Sequence, residues 1–463
     1  MNRRFFLLCI LLLVKIIAFD QTPKVKQPAL IDGHPAWIMR GNIYEVNIRQ
    51  YTREGTFKAF SKHLSRLKAM GVQTLWFMPI NPISRIDRKG SLGSYYAVSD
   101  YTAVNPEFGT VEDWKSLVRE IHALGMKVIL DWVPNHTGAD NRWLKEHPDF
   151  YVKDSTGKAA IAKDWSDTRQ LNYENPVMQD SMIAAMKYWV KVSNIDGFRC
   201  DVAWNVPGLF WKRCIAELKK MKSMFMLAEG DSAYLAKNGF DAVYPWRMFH
   251  MMVKVASGER PAFALDSIRL ENDTLYPKHT IQMYFTSNHD ENSWNKADFG
   301  TFPGASHEPF AVFTQTMLNG VPLIYSGQEE PVLRPIAFFE KDPIPFDKFG
   351  RAPFYKKLLA MRAHYPALSA NAGFKKLNVG NNNSVYAFLR FSKDSNVVGS
   401  RLLVLLNFSP TEQEISIPDQ NLTGKAMNAL SGRIEKVNTA RKLKPWGYEI
   451  LVYGKSADHS LNN

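Results

Sequence analysis

Cysteine is scarce, no segment repeats, and no apolar run is long enough to span a membrane, and each absence removes a class of protein. Only three cysteines occur in 463 residues, and Cys9 sits in the N-terminal segment, leaving Cys200 and Cys214. Their spacing fits no zinc motif, and they read as two buried thiols, although export would permit a disulfide. No apolar stretch reaches the roughly 20 residues that a spanning helix needs. No glycine-rich phosphate loop follows the first strand, so the mark of a dinucleotide fold is missing. The formal charge is +13, yet Lys and Arg are scattered among acids with no basic run. A nucleic-acid interface therefore has no footprint, and a solvated basic surface accounts for the charge.

What is present is the composition of a globular protein, 45% hydrophobic and 22% charged. Aromatics make up 13%, including 12 Trp. They serve packing or sugar stacking, and composition does not choose between these. Residues Met1 to Phe19 read as a secretory signal: Asn2-Arg3-Arg4, an apolar run from Phe5, then Ala18-Phe19, with Lys15 as an atypical interruption. Cys9 lacks the small residues that precede a lipidated cysteine. A secreted or periplasmic protein without a membrane anchor is expected, with a charge of +10 once Arg3, Arg4 and Lys15 are removed.

From Ile43 the chain alternates short apolar strands with amphipathic helices. Ile43 to Arg49 reads as a strand, and Thr56 caps a helix with Phe57, Phe60, Leu64, Leu67 and Met70 on its apolar face, ended by Gly71. Thr74 to Met78 and Lys127 to Val133 are the next strands, separated by a helix that Thr110 caps. Phe198 to Val202, Phe225 to Ala228, Ala242 to Tyr244, Gln282 to Thr286 and Pro322 to Tyr325 continue the series. Eight β-then-α units predict a (β/α)₈ TIM barrel over residues 20–366. A short, loop-rich, aromatic excursion at residues 136–175 interrupts it after the third strand. Beyond Pro366 the pattern turns to period two, in Ser384 to Phe391, Arg401 to Phe408, Glu414 to Ile417 and Trp446 to Tyr453. An antiparallel β-sandwich domain over residues 367–463 is expected.

Barrel active sites lie where the strands end, and four acids fall there: Asp131 in DWVPNH, Asp201 in GFRCD, Glu229 in MLAEG and Asp290 in TSNHD. One such acid would be an ordinary helix cap. Four on one rim suit glycosidic bond cleavage, which needs one carboxylate at the anomeric carbon and one carboxylic acid at the leaving oxygen. Arg199 and Asp201 are two apart on a strand and share a face, so the guanidinium favours the ionised form of Asp201. Glu229 follows four apolar residues, a setting that raises a carboxyl pKa toward that of a general acid.

These segments resemble the signatures of the α-amylase family (glycoside hydrolase family 13), in order and at suitable spacing. DWVPNH, GFRCD, the Glu of MLAEG and SNHD resemble its four conserved regions, and GSYYAVSDYTAVNPEFGT, LNYENP and PLIYSGQE resemble further ones. The resemblance covers Ile43 to about Arg362. It implies Asp201 as nucleophile, Glu229 as acid/base and Asp290 as a third carboxylate that holds sugar hydroxyls. It further implies Arg199, His136 and His289 around the cleaved sugar and Tyr96 as its stacking platform. Asp131 is expected to be structural, holding the strand end and the loop that carries Asn135 and His136.

The sequence also departs from the family. Many members have Lys-His three and four residues after the nucleophile, where this chain has Trp204 and Asn205. Trp204 could offer leaving sugars a stacking face, or pack beneath the excursion. Asn135 matches a calcium-ligand position, but the short excursion supplies no matching acids, so no cofactor is required and calcium stays open. The expected activity is retaining hydrolysis of α-1,4-glucosidic bonds in starch, maltodextrin or related α-glucans. A transglycosylase, or an enzyme acting on α-1,6 bonds or disaccharides, would share the covalent step. A non-catalytic carbohydrate-binding relative would usually have lost the carboxylates, and this chain retains all three.

Overall fold

Eight short parallel strands close on themselves, each running into a helix on the outside. In the computed structural model, which describes residues 29–394, 397 and 399–453, the barrel strands are β1 Ile43–Val46, β2 Thr74–Phe77, β3 Lys127–Trp132, β4 Gly197–Cys200, β5 Phe225–Ala228, β6 Ala242–Val243, β7 Ile281–Tyr284 and β8 Gly320–Tyr325. Each pairs with its neighbours in sequence, and β8 pairs with β1 to complete the ring. The expected signal Met1–Phe19 and Cys9 lie outside the described residues. No helix among the described residues is long and apolar enough to cross a membrane.

Local chemistry explains most boundaries. Strands covered on both faces can be apolar throughout, as Phe225, Met226, Leu227 and Ala228 are, all fully buried. Thr110 and Asp113 form a reciprocal capping box at the start of Val111–Ala123. Gly71 ends Leu64–Met70 at φ 101°, a conformation that glycine adopts without penalty. The expected strand Ile43 to Arg49 stops at Val46, and Ile48–Tyr51 is a helical turn. The expected single helix after it is two, Phe57–Ser61 and Leu64–Met70. The excursion is more ordered than its loop-like sequence suggests: His136–Gly138 pairs antiparallel with Thr168–Gln170.

After the helix Ala352–His364 come β9 Gly373–Leu377, β10 Val385–Phe391, β11 Arg401–Asn407, β12 Gln413–Ser416, β13 Gly424–Asn428, β14 Ile434–Val437, β15 Ala440–Leu443 and β16 Tyr448–Tyr453. Six form an antiparallel sheet in the order β9-β10-β11-β16-β13-β14, and β12 pairs with β15. The sheet shares a core with the barrel, where Phe310 and Phe408 stack 4.2 Å apart.

Two buried arginines fasten this joint at the floor of the barrel, where its strands begin. Arg362 donates to the carbonyls of Met39, Gly41, Gln315, Gly320 and Leu368. Arg390, from β10, donates to those of Thr316, Met317, Ser369, Ala372 and Gly373. Cys200 and Cys214 are buried free thiols, so the disulfide that export would permit is not formed.

Candidate active site

The site is assembled at the opposite rim, past the C-terminal ends of the strands. The parallel ladder runs one residue beyond β4 and β5: Asp201 N–H donates to Trp132 at 2.8 Å and Glu229 N–H to Cys200 at 2.9 Å. Register therefore sets both carboxyl groups on neighbouring strands at the mouth. Asp290 and His289 follow β7, His136 begins the excursion, and Tyr96 comes from the long loop after β2. A cavity of about 330 Å³ is lined by Tyr96, His136, Asp201, Glu229, His289 and Asp290 together. Trp204 is not among its lining residues. It lies just outside, 46% exposed, with the Lys163 ammonium 4.1 Å above its ring.

Arg199 organises the floor. It is fully buried, and Nη1 donates to Asp201 Oδ1 at 2.8 Å and to Asp131 Oδ1 at 3.0 Å. Nη2 stands 3.3 Å from Glu229 Oε1, a contact whose geometry falls short of a hydrogen bond. Nε donates to Tyr244 at 3.2 Å. Burial opposes the Arg199 charge, yet Asp131, Tyr244 and Glu229 hold its pKa well above the usual range. Asp131 was expected to hold the strand end and the loop of Asn135 and His136, and its hydrogen-bond partners lie elsewhere. Its oxygens accept from Arg199, Tyr96 and Trp76, and no hydrogen bond joins it to the side chains of Asn135 or His136.

The expectation that Arg199 would keep Asp201 at low pKa is only half met. The guanidinium does pull it down, but burial is the larger effect, and with Asp131 and Asp290 it pushes the Asp201 pKa up. Glu229 is raised too, by burial first and then by Asp201 and Asp290 against Arg199. Glu229 Oε2 accepts the Val202 N–H at 2.6 Å. Val202 itself sits at φ 45°, a left-handed conformation costly for a β-branched residue.

The histidines differ in charge state. Burial lowers His136 to about 3, so its ring is neutral. Burial would also lower His289, but Asp290 and Glu45 raise it to about 9. Its Nδ1 is 2.5 Å from Glu45 Oε1, and its Nε2 is 2.9 Å from the Tyr96 hydroxyl and 3.4 Å from Asp290. Tyr96 lies stacked on His289 and Phe338, its hydroxyl donating to Asp131 at 3.1 Å.

The family's catalytic-domain description, "Alpha amylase, catalytic domain", matches residues 32–166 and 152–342. The chain belongs to the α-amylase family. Within it, Alpha-amylase 2 of Dictyoglomus thermophilum is 25% identical over 496 aligned residues, covering 95% of this chain and 81% of that protein. Alpha-amylase MalA of Haloarcula japonica is 26% identical over 404 residues, covering 83% of this chain and 58% of that protein, so this α-amylase family member spans little more than half of that relative. The crystal structure of a noncanonic maltogenic alpha-amylase AmyB from Thermotoga neapolitana superimposes with a TM-score of 0.81 at 27% identity, over 90% of this chain and 100% of that one.

Several residues of this α-amylase site escaped the sequence. Glu45 on β1 is fully buried and holds His289. Lys89, Trp165, Asp167, Trp294, Phe338 and Phe339 join the cavity wall from four separate segments, after β2, in the excursion, after β7 and after β8. Only Glu45 carried a signal, as a lone acid inside an apolar strand. At the calcium-ligand position, Asn135 Oδ1 already accepts the amides of Asn205 at 2.7 Å and Gln170 at 3.2 Å. Among the described residues, no group of three or more His, Cys, Asp or Glu is placed to hold a metal.

Proposed function

We propose that the chain hydrolyses α-1,4-glucosidic bonds of α-glucans with retention of configuration, with Asp201 as nucleophile and Glu229 as acid/base. The observation that carries the assignment is the unequal grip of Arg199. It hydrogen-bonds Asp201 at 2.8 Å but only approaches Glu229 at 3.3 Å. In a buried pair short of positive charge, the better-paired carboxylate gives up its proton first. Asp201 is then the anion and Glu229 the acid.

The step follows from that division. The Asp201 carboxylate bonds to the anomeric carbon as the bond to the leaving oxygen breaks, and the Glu229 proton goes to that oxygen. A water, losing its proton to Glu229, then attacks the same carbon and frees Asp201. Contact of both carboxyl groups with one guanidinium supports the short separation that a covalent intermediate requires. Tyr96 offers the cleaved ring a face, His289 with its positive charge and Asp290 address its hydroxyls, and His136 presents a neutral ring. Phe338, Trp294 and Trp165 extend the apolar lining.

Product anomers from a maltooligosaccharide, read by NMR in the first turnovers, test the reading. Retained α-products support it, and inverted β-products refute it. Amylose, pullulan and maltotriose as parallel substrates separate α-1,4 hydrolysis from α-1,6 or disaccharide action. Two further expectations belong with it. Activity is independent of calcium, because amide donors occupy Asn135, and chelator-treated enzyme should keep its rate. The protein is exported on its N-terminal segment, which fractionation of expressing cells will read.

A further inference from the structure

The excursion crosses the site in five residues. Lys163 covers Trp204, which packs beside Gly230 next to the acid Glu229. Trp165 lies against His136, their rings 5.1 Å apart. Asp167 meets Lys89 of the loop after β2, the loop that also supplies Tyr96. The order 163, 165, 167 thus runs from the Glu229 side of the mouth, past His136, to the loop that carries Tyr96.

Asp167 is placed as a side chain awaiting a partner. It is 3% exposed and lines the cavity. Its Oδ1 has only the Lys89 ammonium, at 3.4 Å, and its Oδ2 is buried without a protein donor. A buried carboxylate oxygen left unpaired costs free energy that a hydroxyl donor recovers. Its backbone is fixed, with the Asp167 carbonyl accepting from Ala139 and Thr168 opening the strand paired to His136–Gly138. The mechanism above makes no use of this group.

We propose that Asp167, oriented by Lys89, binds the hydroxyls of the donor-side sugar adjoining the cleaved ring, and so sets a preference for substrates with at least two donor-side rings. This deepens the reading of the site as an α-glucan hydrolase and rests on it. Asp167 is a positioning residue here. It touches neither the anomeric carbon nor the leaving oxygen.

The test uses the full chain and two chromogenic substrates, p-nitrophenyl α-glucoside with one donor ring and p-nitrophenyl α-maltoside with two. Asp167→Ala should lower kcat/KM for the maltoside by about 10–100-fold, mostly through KM, and change the glucoside by less than about 2-fold. Asp167→Asn, which keeps an acceptor oxygen, should fall between. A purely structural role would depress both substrates alike, and that result, or no change in either, overturns the proposal. Calorimetry of maltotriose binding to Glu229→Gln, with and without Asp167→Ala, gives an independent reading. An affinity loss of about 10-fold is expected, and an unchanged affinity counts against the proposal. If the wild type cleaves no α-glucoside at all, the hydrolase reading fails, and the calorimetry still decides on Asp167.

Discussion

Arg199 at the rim of the barrel and Arg362 and Arg390 at its floor are all buried, and they use the guanidinium in opposite ways. At the floor, Arg362 and Arg390 meet only carbonyl oxygens, and burial lowers their pKa to about 9 and about 10. At the rim, Arg199 faces three carboxyl groups, and its pKa rises well above the ordinary range. Carbonyl dipoles spend a guanidinium on holding chain segments together, whereas acids in excess of the available charge leave protons to be exchanged. The floor is a clamp and the rim is a poised acid–base system, built from the same side chain.

The largest effect should come from the rim's own acids. Asp201→Asn and Glu229→Gln should each cut starch hydrolysis by about 10³-fold or more while circular dichroism and melting stay close to wild type, since each loses one chemical role at near-constant volume. A Glu229→Gln enzyme that hydrolysed starch at near wild-type rate would put the acid elsewhere.

Arg199→Met sharpens the contrast from the side of charge. Catalysis should fall about 10²–10³-fold, as when a buried electrostatic partner is lost. Asp201 and Glu229 already have raised pKa values, and Arg199 is what opposes the rise. Activity that needs ionised Asp201 is lost as pH falls through its pKa, so removing Arg199 should move the acid limb of the pH–rate profile to higher pH. Activity that needs protonated Glu229 is lost as pH rises, so the basic limb should move up as well. An unmoved profile would mean that Arg199 does not set the protonation of the pair.

Arg390→Met asks the converse at the floor. It removes the guanidinium from five carbonyls, of which that of Ser369 keeps a second donor, the Ala372 N–H, and a loss of about 3–5 kcal/mol in denaturant stability is expected. The pH–rate profile of the folded enzyme should not move, and a shifted profile would erase the division between the ends. The smallest effect is expected of Trp204→Ala. With its ring under Lys163 and outside the cavity, about 1 kcal/mol, a factor of about 5, should be lost on long maltooligosaccharides. An aryl glucoside should not register the change.

How much of this was legible depended on whether the deciding contact was local. Thr110 with Asp113, Gly71 and the Phe225–Ala228 strand are set by neighbours in the chain, and they stand where the pattern put them. Asp201 and Arg199 were placed on one face by strand alternation alone. The end of β1 was misread because the alternation of Ile43 to Ile48 continues past the point where the ladder stops. Arg390 sits in the apolar run YAFLRF with nothing nearby to explain it, since its partners lie near residues 316 and 370. Asp167, Trp294 and Phe338 meet only after the barrel has closed, and no spacing in the sequence encodes that meeting.

The two buried thiols give the barrel an internal clock. Cys200 ends β4 one residue before Asp201, and Cys214 faces Met186 at 3.4 Å between two outer helices. Neither is exposed to solvent. A thiol reagent therefore reaches them only through openings of the fold, and their labelling rates time two separate events: fraying of the strand that carries the nucleophile, and parting of the helical shell. Because no crosslink joins them, the native topology depends on no oxidant. Recovery from denaturant can be followed in strong reductant, with the same two sulfurs recording when each layer has closed.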